Sequence, residues 1–175
     1  MAAQERGLSG AVKDTGIRTQ INHLWFQENE RMYRFVNLQV WNRRALLTGV
    51  VPEAEMRRTA AKLAWQADDV DEVINEIAVD ENRNDVKAYA KDSWIAAKLK
   101  SKILFDTEIK SINYSIETVR GRIYLIGTAR SQAELDRVID HARNIANVEE
   151  VVSYVRIAQP DAEPQGSGAT QADAA

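Results

Sequence analysis

Hydrophobic residues recur along this chain in two alternating periods, and the succession runs through twice. Ile17, Ile21 and Trp25 fall at i, i+4 and i+8, the spacing of one core-facing helical stripe, and Ile95, Leu99 and Ile103 repeat it. An Asp precedes each run, Asp14 and Asp92, and predicts a side-chain cap for the free N–H groups of the first turn. A period of two follows: Val36, Leu38 and Val40 in the first run, Ile112, Tyr114 and Ile116 in the second, each alternating with polar residues as half-buried strands do. Asn42-Arg43 and Arg120-Gly121 then read as tight turns, with Gly121 free to take positive φ. Second strands follow at Ala45–Val51 and Ile123–Ala129. Each holds a structural glycine at the same place, Gly49 and Gly127, as expected at a bulge or a close backbone approach.

A second helix comes next. In the later copy Ser131-Gln132-Ala133-Glu134 is a capping-box pattern, and in the earlier copy Pro52 fits a helix start, where its missing N–H is harmless. Val73–Ile77 and Val151–Val155 close each unit as a strand rich in branched residues. A shift of 78 residues superimposes the two halves without a gap, so that Ile17 meets Ile95, Gly49 meets Gly127 and Val70/Val73 meet Val148/Val151. The prediction is an α+β fold of two tandem α-β-β-α-β modules, each a three-stranded sheet with two helices on one face and the other face open. The expected divisions are an N-terminal segment at 1–12, modules at 13–79 and 91–157, a polar linker at 80–90 and a disordered tail at 158–175. Units this small have small cores, so packing between the copies is expected to add stability.

Composition narrows the function classes. There is no cysteine, which removes disulfides, thiolate metal sites and thioether lipid attachment within this chain, and no apolar run approaches a membrane span. The first residues have no apolar core of a signal peptide, so the protein is expected either to be cytoplasmic or to have a targeting segment upstream. Neither a phosphate-binding loop, a dinucleotide fingerprint nor a nucleophile elbow occurs. His23 and His141 stand without a second ligand at metal spacing and read as surface residues, and adjacency of Asp140 and His141 does not make a dyad. The expectation is a protein that is not an enzyme and needs no cofactor or metal. Nucleic acid is not an expected partner: neither module has a GXXG loop, and their net charges are only −1 and +2.

The α-β-β-α-β order, the Leu47/Gly49 and Leu125/Gly127 strands and the Val-x-x-Val endings together resemble the BON domain of bacterial envelope proteins. The stretch Asp92–Ser101 is similar to the matching helix of the dual-BON-domain lipoprotein family of Gram-negative outer membranes. The resemblance implies an envelope protein in the periplasm, associated with the outer membrane and supporting its integrity. It also implies that the first helix of the second domain contacts anionic phospholipid. The signal peptide and lipid-anchor cysteine of that family are missing from this chain.

The residues favour the same helix. Residues 87–105 hold five lysines against Asp92 alone, a net +4, whereas the matching stretch 9–27 carries +1. Trp94 lies about 100° around the helix from Ile95, off the core stripe, and its counterpart is Gly16. Lys91, Trp94, Lys98, Ser101 and Lys102 share that face, with Phe105 just beyond. A Trp ringed by lysines suits a lipid interface, the indole at headgroup depth and the cations on phosphates. The alternative is that Trp94 packs against the other module or the linker. Trp25 aligns with Ile103 and reads as core, while Trp41 and Trp65 are specific to the first copy and could line a contact between modules. A competing function is an envelope protein-protein adaptor that uses the open sheet faces, without lipid.

Overall fold

The computed structural model describes residues 7–82 and 86–159. The first module runs α1 (Gly7–Glu28), α2 (Glu30–Phe35), β1 (Val36–Trp41), β2 (Arg44–Val51), α3 (Ala54–Ala64), β3 (Glu72–Asn75) and β4 (Ala78–Val79). The second runs α4 (Val86–Phe105), a 3-10 turn (Ser111–Asn113), β5 (Tyr114–Val119), β6 (Arg122–Ala129), α5 (Gln132–Arg143) and β7 (Glu150–Ile157). In each sheet the middle strand pairs antiparallel with the strand before it and parallel with the one after the second helix, giving orders β1-β2-β3 and β5-β6-β7. The tandem α+β reading therefore holds.

The helical stripes behave as the pattern predicts: Ile17, Ile21, Trp25, Ile95, Leu99 and Ile103 are all buried. The indole N–H of Trp25 donates to the carbonyl of Ala60 at 3.0 Å, tying α1 to α3. The glycines meet backbone. A Cβ on Gly49 would lie 2.3 Å from Phe35 O, and one on Gly127 would lie 2.1 Å from Asn113 O. No side chain fits there.

Several local expectations give way. Asp14 and Asp92 do not cap helix starts, because α1 and α4 begin a turn or more earlier, at Gly7 and Val86. Each Asp instead turns inward and accepts the two N–H groups of its module's hairpin turn: Asn42 and Arg43 at 2.9 and 2.8 Å, Arg120 and Gly121 at 2.6 and 2.8 Å. Those four turn residues all have positive φ, the paired left-handed geometry that a right-twisted hairpin requires. Ser131 caps α5 as expected, but Glu134 reaches back to the backbone N–H of Arg130, at 3.5 Å, one residue before the N-cap. Its buried carboxylate takes the Tyr114 hydroxyl at 2.6 Å and pairs with Arg130. Pro52 sits before the N-cap Glu53 rather than in the first turn.

Ile112 is not in the strand but in the 3-10 turn, 40% exposed. The closing strand of the first module splits into β3 and β4 where Asn75 Oδ1 accepts the N–H of Ile77. The expected segment 1–12 is helical from Gly7, and the expected linker 80–90 is helical from Val86. Pairing in the second sheet reaches Ala158, and the rest of the expected tail, from residue 160, lies outside the described residues.

The sheet faces expected to be open instead pack on each other. Trp41, Leu46 and Ile74 from one sheet and Val119, Tyr124 and Ile126 from the other form a third core between the modules. Gln39 Nε2 donates to Glu117 at 2.5 Å, and the Tyr154 hydroxyl donates to Glu76. Both pairs are separated by 78 residues, so each joins a residue to its own repeat counterpart. Self-pairing of this kind occurs on a two-fold axis, and the contact has the isologous form of a symmetric dimer within one chain. Trp41 belongs to it, its indole N–H on Thr128 Oγ1 at 2.9 Å. Trp65 does not: it follows α3 and is 54% exposed.

Candidate functional site

Helix α4 presents its core stripe to the second sheet and leaves one broad face outward. Lys91, Trp94, Lys98, Ser101, Lys102 and Phe105 fall within an arc of roughly 100°, given 3.6 residues per turn. Trp94 is 49% exposed, Phe105 is 81% exposed, and neither belongs to any of the three cores. Lys91, Lys98 and Ser101 are exposed, and Lys102 is half-buried. Asp92, the one acid on the helix, is turned away and occupied by the hairpin N–H groups, so the outward arc carries cations only. At the counterpart of Trp94, a Cβ on Gly16 would meet nothing within 4 Å, so the first copy leaves that position unfilled.

The lower half of this face continues into an open groove of about 540 Å³ shared with α5. Lys98, Ser101, Lys102 and Phe105 form one wall, and Arg137 and His141 form the other. Asp106, just past the helix end, joins the walls. It accepts from Arg137 Nη2 at 2.9 Å and from the backbone N–H of Glu108 at 3.0 Å, and lies 2.8 Å from His141 Nε2. The hydrogen bond with His141 leads in lowering the Asp106 carboxyl to about 2. The Glu108 N–H and Arg137 reinforce it, against the opposing effect of burial. The carboxylate thus stays ionised and fixes Arg137 and His141 beside the lysines.

The sequence reading brought Lys91, Trp94, Lys98, Ser101, Lys102 and Phe105 to one face, and the structure keeps them there. It missed Asp106, Arg137 and His141. His141 is not a free surface residue, being half-buried and bound to Asp106; His23 is exposed as expected. The four-residue spacing of Arg137 and His141 marks one face of α5, but only the fold brings Asp106 to it. Among the described residues no helix is long and apolar enough to cross a membrane.

Comparison with known proteins agrees with this architecture. The BON domain profile matches twice, at residues 13–81 and 91–159. The uncharacterized protein in the gshII 5' region of Anaplasma centrale is 41% identical over 146 residues, 83% of this chain and 95% of that protein. The 21 kDa hemolysin of Actinobacillus pleuropneumoniae is 33% identical over 71% of this chain, and the outer membrane lipoprotein DolP of Haemophilus influenzae is 32% identical over 69%. The matched stretches span 63% and 62% of those two proteins' own lengths. The chain belongs to the BON domain family, as a tandem BON protein related to the outer-membrane lipoprotein DolP.

Proposed function

We propose that this protein is a non-enzymatic component of the bacterial envelope that binds anionic phospholipid through the outward face of α4. On this reading it works in the periplasm, associated with the outer membrane, and supports that membrane's integrity. The observation that carries the reading is the solvent-facing arc of α4, on which Trp94 and Phe105 stand among lysines with no acid. A lysine near an anionic surface contributes about 1 kcal/mol, so three well-placed ones supply about 3 kcal/mol. That alone corresponds to binding weaker than about 1 mM. Insertion of the Trp94 and Phe105 rings adds apolar burial and fixes the depth. A contact this weak becomes effective when something else holds the protein near the bilayer, because the second contact is then intramolecular. The family relation to an outer-membrane lipoprotein supports an envelope setting.

An adaptor that uses the sheet faces is disfavoured. Those faces are buried against each other, and a partner would have to separate the modules to reach Leu46, Tyr124 or Ile126. The test is co-sedimentation of the chain with vesicles of graded phosphatidylglycerol content at several salt concentrations. Binding is expected to rise with anionic fraction and fall steeply with salt, because the lysine contribution is screened. Equal binding to purely zwitterionic vesicles contradicts the reading.

A further inference from the structure

The internal two-fold axis exposes a second site, on the opposite flank of α4. Under the symmetry, the contact of Trp41 with Thr128 has as its mate the pair Val119 and Val50. On the first side an indole fills the space between the modules. On the second a valine stands where the indole would be, and a cleft of about 360 Å³ remains, with Val119 and Val50 in its lining. The charge differs as well. The cleft is lined by Arg34, Lys100 and Arg120, whose counterparts around Trp41 are Ile112, Asn22 and Asn42. Two carboxylates also line it, Asp92 and Glu117. Asp92 is engaged by the hairpin N–H groups, and Glu117 takes the Gln39 amide and faces Lys100. Arg120 also meets Asp80, and Arg34 lies 3.9 Å from Glu30 at the surface.

The long wall of the cleft is a backbone edge. Ile116 through Arg120 line it consecutively, and a run without alternation is the side of a strand rather than one of its faces. Among the described residues, strand β5 has a neighbour only in β6. Among the described residues the buried Thr118 Oγ1 in this wall has no hydrogen-bond partner. An unpaired edge of this kind is a template for strand addition.

From this we infer that the cleft between α4, the β5 edge and the first module binds an extended acidic peptide segment of a partner protein. The peptide pairs its backbone with β5, seats one aromatic side chain at Val119 in the place Trp41 fills on the other side, and sets its carboxylates against Lys100, Arg34 and Arg120. The site is separate from the lipid-facing arc of α4, so it stands or falls independently of lipid binding.

The experiment uses the full chain and a fluorescein-labelled peptide that alternates Glu and Val around a central Trp, read by fluorescence anisotropy. Two control peptides replace Glu by Lys or place Pro at alternate positions, which removes the ladder N–H groups. Saturable binding is expected for the acidic peptide, with at least tenfold loss for either control. Val119→Trp fills the slot and is expected to weaken binding at least tenfold with the thermal midpoint unlowered. Lys100→Glu, on an exposed helical position, is expected to weaken it several-fold with the fold unchanged. Absence of binding up to about 1 mM peptide, equal binding of a control peptide, or undiminished affinity in a folded Lys100→Glu variant overturns the inference.

Discussion

Helices α1 and α4 are the same element used twice, alike on the inward face and different in character on the outward one. Inward, both carry a large apolar stripe, Ile17, Ile21 and Trp25 in one and Ile95, Leu99 and Ile103 in the other, all buried. Both also carry an Asp that holds a hairpin turn. Outward, α4 has Trp94, Lys98, Ser101, Lys102 and Phe105 where α1 has Gly16, Gln20, His23, Leu24 and Gln27. The inward face is set by a core that tolerates few changes. The outward face lies outside the cores, and the concentration of aromatic and basic residues on one copy is what supports the proposed lipid contact.

The comparison breaks most visibly at the two tryptophans. Trp25→Ala removes a buried indole from the first core and its bond to Ala60, and is expected to cost about 3–5 kcal/mol. Trp94→Ala is expected to stay within about 0.5 kcal/mol; thermal and urea unfolding of the two variants separates them. Asp14→Ala and Asp92→Ala are each expected to destabilise by about 2 kcal/mol, because two turn N–H groups lose a charged acceptor. A capping role at the helix start instead predicts a loss of helix content without disturbance of the hairpins, which hydrogen exchange at Asn42, Arg43, Arg120 and Gly121 distinguishes. Gly16→Ala is expected to stabilise by about 0.5–1 kcal/mol, since the glycine sits inside a helix with open space beside it.

A further effect appears only in acid. Asp106 titrates near 2 in the folded protein against an ordinary value of 3.8. A depressed carboxyl adds stability above its unfolded pKa, and that stability is lost as pH falls from about 4 toward 2. Asp106→Asn is expected to flatten the acid limb of the stability curve in that window, and an unchanged limb contradicts the coupling of α4 to α5 through this carboxylate.

The sequence carried the repeat, the strands, the core stripes and the outward arc of α4, because each depends on a periodicity or a comparison of copies. Gly49 and Gly127 were legible for the same reason. What escaped it depends on which groups meet in space. Asp14 and Asp92 look like caps because the core stripes begin only after them: the apolar residues of the preceding helical turns, Leu8, Val12, Val86 and Tyr89, are exposed and belong to no core. The packing of one sheet on the other shows only faintly, since Arg44, Leu46, Thr48 and Val50 alternate with core residues in a strand that is apolar almost throughout. A strand buried on both faces has no alternation to read. Asp106 joins Arg137 and His141 across 31 and 35 residues, beyond any local spacing.

Membrane contact by Trp94 is tested most directly by its own fluorescence. Trp65 is the other exposed indole and would blur the signal, so the measurement uses a Trp65→Phe background. Added phosphatidylglycerol vesicles are expected to shift emission to shorter wavelength, with quenching by lipids brominated near the headgroup. Both responses are expected to vanish on further Trp94→Phe substitution. A spectrum unmoved by anionic vesicles, or a shift that survives Trp94→Phe, contradicts the account.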